Sequence, residues 1–75
     1  MINFQLHLKV IVDTEAQVAK IATALSGTET RIYAHQTLQG FHVDIAMTSD
    51  TALRCVETMS EVAFRLKSLH FVQQD

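Results

Sequence analysis

Four histidines and one carboxylate are the residues of this 75-residue chain best placed to do chemistry. His7 lies in an alternating run from Ile2 to Val12. Ile2, Phe4, Leu6, Leu8, Val10 and Val12 share one face; Asn3, Gln5, His7 and Lys9 share the other, with Ile11 as its single apolar residue. A period of two means a strand with one buried face and one face outside the core. The same parity carried along the chain assigns Arg31, Tyr33, His35 and Thr37 to that outer face, and then His42 and Asp44. His70 joins them in a short closing strand expected over Leu69 to Val72. Imidazoles beside a carboxylate are the ingredients of a metal site or an acid–base pair. No HxxxH or CxxC spacing fixes ligands, so no metal, no cofactor and no catalytic residue is assigned. His7, Lys9, Arg31, Tyr33, His35, His42, Asp44 and His70 are taken instead as a binding face, to which Tyr33 and Val72 add apolar area.

Other reactive types have structural explanations. Cys55 falls in the middle of an apolar helical arc, the setting of a buried, inert thiol. Asp13 and Glu15 stand at a helix start, where carboxylates favour the dipole. With only Gly27 and Gly40 there is no glycine-rich phosphate loop. Gly40-Phe41-His42-Val43 is similar to the aromatic motif of RNA-recognition domains, but base stacking needs aromatics on the open face, and Phe41 shares parity with the core residues Val43 and Ile45.

The elements that position these residues alternate in type. Thr14 to Gln17 reads as a capping box, followed by Val18, Ile21, Ala22 and Leu25 along one helical stripe, with Gly27 as the left-handed terminator. A second strand starts at Thr30 with Ile32, Ala34 and Leu38 inward. Gln39-Gly40 is read as a hairpin turn, and the next strand turns Phe41, Val43, Ile45 and Met47 inward. That turn sets Leu38 against Phe41, Ala34 against Ile45, Ile32 against Met47 and His35 directly across from Asp44. One of Thr48, Ser49 and Asp50 caps a second helix, whose apolar set is Ala52, Leu53, Cys55, Val56, Met59, Val62, Ala63, Phe64 and Leu66. This arc is wider than one sheet face requires: Leu53 and Phe64 either close the ends of the core or meet a partner. The order β-α-β-β-α-β with right-handed crossovers predicts an α+β, ferredoxin-like sandwich over residues 1–75. It is a single domain with two helices on one face of a four-stranded antiparallel sheet.

Composition bounds the function. A chain 48% hydrophobic and 19% charged packs a core, and one this short is marginal alone, so a homodimer or bound partner helps it. A net charge of −2 argues against nucleic acid and anionic membranes as partners. One cysteine, no signal-like N-terminus and no apolar run of membrane-spanning length together suggest a cytoplasmic location.

Two families of this topology are similar to the chain. Val10-Ile11-Val12 leading into Thr14, Val18-Ala19 with Ile21 and Leu25, Gln39-Gly40, Asp50-Thr51, Val56-Glu57 and Ser68-Leu69-His70-Phe71-Val72-Gln73 resemble the NapD family. These are small cytoplasmic chaperones that bind the twin-arginine leader peptide of a periplasmic nitrate reductase. The resemblance implies a non-enzymatic protein that receives a leader peptide on its open sheet face, over His7, Lys9, Tyr33, His35, His42 and Asp44. The chain also looks like an ACT-type regulatory domain, which implies a homodimeric regulatory or interaction module; Asp13-Thr14-Glu15-Ala16 stands where that family carries its ligand turn. A small ferredoxin-like enzyme with an open-face histidine as base is the third alternative.

Overall fold

The computed structural model describes residues 3–70 and the backbone of 73–74. Strand β1, Phe4–Val12, leads into helix α1, Glu15–Ala24. Strands β2, Arg31–Thr37, and β3, Gly40–Ser49, form a hairpin, and helix α2, Ala52–Lys67, follows. β3 is central, antiparallel to β1 on one side and to β2 on the other. Both helices lie on one side of this sheet, packed over β1 and β3.

Each helix start has a chemical cause. The Thr14 Oγ1 accepts the Gln17 backbone N–H at 3.3 Å, and the Gln17 Oε1 accepts the Thr14 N–H at 3.1 Å, the reciprocal pairing that the capping box implies. α1 ends at Ala24, and Gly27 takes φ +88° in the loop that follows. The second helix is capped one residue later than the three candidates. β3 extends through Ser49, and Thr51 Oγ1 accepts the Arg54 N–H.

The core forms where the alternating strand faces meet these helices. Val10 and Val12 of β1, Val43 and Ile45 of β3, Ile21 and Leu25 of α1, and Val62 and Leu66 of α2 are buried together. Ile32, Phe41, Val18, Met59 and Leu69 pack at its margin. Ala22 is exposed, so the buried stripe of α1 is narrower than its spacing suggests. Ala34 is exposed too, because the helices sit over β1 and β3 rather than over β2.

The four-stranded ferredoxin-like sandwich expected from the element order is not shown among the described residues. The described architecture is β-α-β-β-α, a three-stranded antiparallel sheet with two helices, and only Gln73 and Gln74 pair beside β1, against Ile11 and Val10. The strand expected over Leu69 to Val72 is absent where it can be followed. The Leu69 N–H still bonds the Leu66 carbonyl at 3.0 Å in a turn that prolongs α2, and His70 takes φ +64°, a left-handed conformation that no strand accommodates. Phe71 and Val72 lie outside the described residues.

The hairpin differs from expectation by two residues of register. Its loop is Leu38-Gln39, closed by Thr37 facing Gly40, so Ile32 faces Ile45, Ala34 faces Val43 and His35 faces His42. Thr37 Oγ1 accepts the Gln39 N–H and donates to the Gly40 carbonyl, both at 3.1 Å. The positive φ falls on Gly40, at +119°, and a Cβ there would stand 2.5 Å from the Val12 carbonyl oxygen. Leu38, expected inward, is fully exposed at the loop tip. A shift of two preserves side-chain parity, so every strand residue keeps its assigned face while its partners change.

Candidate functional site on the open sheet face

With both helices on one side, the other side of the sheet is uncovered. The register sets its residues in cross-strand rows. His7, Ala46 and Arg31 form one; Lys9, Asp44 and Tyr33 the next; Ile11, His42 and His35 the third. Seven of the eight residues assigned to the binding face are thus brought together, and His70 is not: it stands exposed at the bend after α2.

Asp44 is the hub. It faces Lys9 and Tyr33 across the strands, yet its polar contact is diagonal, to the His7 ring. Ala46 opposite His7 is too short to hold the ring, which therefore leans toward Asp44, the kind of diagonal reach that long side chains make on a sheet. His7 Nδ1 donates to Asp44 Oδ1 at 3.2 Å and to Oδ2 at 3.3 Å. Because a carboxylate only accepts, this pairing puts a proton of His7 on Nδ1. Both partners are substantially exposed, so the pair holds the two side chains in place and contributes at most about 1 kcal/mol to folding. His35, expected across from Asp44, stands instead beside His42, with ring centroids 5.6 Å apart and planes tilted by 42°.

His42 is the anomaly of this face. It lies on the central strand, between Ile11 and His35, and its Nε2 is enclosed without a hydrogen-bond partner among the described residues. An enclosed polar atom left unpaired costs about 1–3 kcal/mol, so native structures rarely keep one unless something else binds there. A concavity of about 180 Å³ runs over this position, lined by Lys9, Ile11, His35, His42 and Asp44. A second hollow, of about 370 Å³, lies toward the other end of the sheet, between Glu29, Arg31, Ala46 and Thr48.

Among the described residues no three His, Cys, Asp or Glu side chains converge tightly enough to hold a metal ion. Cys55 is buried on the helix side of the sheet, where its thiol donates to the Phe4 carbonyl at 3.4 Å, remote from the histidine face. Sequence reading missed one charged cluster. Glu29, Glu57 and Glu61 gather with Arg54 around a hollow of about 260 Å³ between the α1–β2 loop and α2. Arg54 pairs with Glu29, and Arg65 with Glu61. The i, i+4 spacing of Glu61 and Arg65 was legible, whereas the Arg54–Glu29 contact depends on how the loop folds back. Among the described residues no helix is long and apolar enough to cross a membrane. The chain matches no protein-family model, no curated protein and no solved structure.

Proposed function

We propose that the chain is a non-enzymatic binding module that receives a peptide segment on its open sheet face. The observation that carries this reading is the unpartnered His42 Nε2, enclosed beneath a concavity on a face that neither helix covers. A peptide backbone supplies both donors and acceptors at short spacing, so it satisfies such a nitrogen in either tautomer. Ile11 and Tyr33 offer apolar contact on either side of the central strand, and Asp44 retains acceptor capacity beyond its bond to His7.

A twin-arginine leader is the ligand implied by the NapD resemblance, and Asp44 is where a guanidinium would pair. Lys9 and Arg31 flank that carboxylate, so charge alone supplies little of the affinity, and the apolar residues of the leader must supply the rest. Calorimetric titration tests the reading with a twin-arginine leader peptide and a copy whose two arginines are alanine. Micromolar binding that is lost in the copy, and weakened by Asp44→Asn, is the expected result. No binding of either peptide would remove this ligand, and equal binding of both would remove the role given to Asp44.

A further inference from the structure

The carboxylate of the open face is shared with an imidazole. His7 Nδ1 donates to both oxygens of Asp44, at 3.2 Å and 3.3 Å, and the two side chains stay 48% and 34% exposed. Because Nδ1 already carries a proton, Nε2 is the ring position left to take up another. A proton gained there leaves the bond to Asp44 in place and changes only the charge beside it. Histidine is the side chain that makes this change between pH 5 and 8.

The other charges around His7 come from every strand. β3 brings Asp44 in the next row and His42 in the row beyond. Lys9 follows on the same strand as His7, and β2 adds Arg31 behind Ala46, then Tyr33 and His35. Glu29 of the α1–β2 loop borders the hollow beside Arg31 and Ala46, but it is paired with Arg54. Both helices lie on the other side of the sheet. Asp44 is thus the one carboxylate that these strand rows carry, and Lys9 and Arg31 flank it without forming an ion pair with it among the described residues.

We propose that His7 gates the open face by protonation. With the ring neutral, Asp44 offers its full negative charge to the guanidinium of a bound segment. With the ring protonated, the imidazolium is already the counter-ion of Asp44, and the guanidinium meets a cation held against the carboxylate it needs. One new unit charge about 4–6 Å from the guanidinium, in a partly solvated setting, changes affinity by about tenfold. His35 and His42 add positive charge to the same face when they protonate, but they stand beside each other and neither holds Asp44. The gate rests on the peptide reading of this face, and adds to it the condition under which the peptide is held or released.

Calorimetric titration with the twin-arginine leader peptide at pH 7.5 and at pH 5.5 tests the gate. The full chain should bind about tenfold more weakly at the lower pH. His7→Asn replaces the ring with a neutral amide donor that does not titrate. Whatever its affinity at pH 7.5, its loss between the two pH values should shrink to about threefold or less, the longer-range share of His35 and His42. An equal loss in both forms overturns the proposal, whether the other histidines or acid unfolding cause it. Binding that persists undiminished at pH 5.5 overturns the gate and leaves the peptide reading standing. No binding at pH 7.5 removes the reading and the gate with it. Nitrogen-15 NMR of the His7 ring in the unliganded chain gives a readout that needs no peptide. The neutral ring should carry its proton on Nδ1 and take the second on Nε2, and a neutral ring protonated on Nε2 alone contradicts the pairing on which the gate depends.

Discussion

His42 is the residue whose hydrogen bonding the fold leaves unfinished. Its ring is held between Ile11 and His35, and its Nε2 has no partner among the described residues. Replacing the ring by one of similar shape without nitrogen removes that unmet requirement. His42→Phe should therefore raise the stability of the free protein by about 1 kcal/mol in urea denaturation while weakening peptide binding. A loss of stability would mean that Nε2 is satisfied after all. Gly40 makes the opposite case: at φ +119° and so near the Val12 carbonyl it has no room for a side chain. Gly40→Ala should cost about 2 kcal/mol or more, and a neutral result would contradict the hairpin geometry. Alternation alone was enough to assign His7, Lys9, Tyr33, His35, His42 and Asp44 to one face. Who faces whom was not legible, because the loop could close at Leu38-Gln39 or one residue later, and both closures preserve parity. Hence the Asp44 partner is His7, and His35 meets His42.

Among the elements, the start of α1 was the most legible part and the chain's final strand the least, while the cap of α2 fell on Thr51, one residue beyond the candidates. The Thr14 capping box is local chemistry and forms as its spacing implies. Thr14→Ala should cost about 1 kcal/mol, read as a lower thermal midpoint. The end of α1 is satisfied from a distance. It has no basic residue in its last turn, and Arg65 of α2 reaches across to bond the Ala24 and Ser26 carbonyls at 3.1 Å. The Ala24 carbonyl is one that the helix end leaves without an intrahelical partner, at the negative end of its dipole, and the Ser26 carbonyl belongs to the loop just beyond. Arg65→Met keeps much of the apolar stem and loses both bonds. It should destabilise by about 1–2 kcal/mol, and an unchanged denaturation midpoint would show that water satisfies these carbonyls equally well. The strand expected from Leu69 onward failed because the apolar spacing of Leu69 fits a strand and a helix-end turn equally. Only the Leu69–Leu66 bond and the positive φ of His70 decide between them.

At the scale of the molecule, the width of the apolar arc on α2 was visible in the sequence, and its meaning was not. Leu53 and Phe64 do not close the core: they are 69% and 77% exposed. The chain is also elongated, 39 Å by 23 Å by 19 Å, with a radius of gyration of 12.4 Å, against about 11 Å for a compact domain of this length. The open sheet face is the proposed working surface, and residue-resolved NMR titration with the twin-arginine leader peptide shows whether a peptide lands there. Amide shifts concentrated at His7, Lys9, Tyr33, His35, His42 and Asp44, and absent from the exposed side of α2, are the result expected. Shifts confined to Leu53, Val56 and Phe64, or no shifts at millimolar peptide, would contradict it.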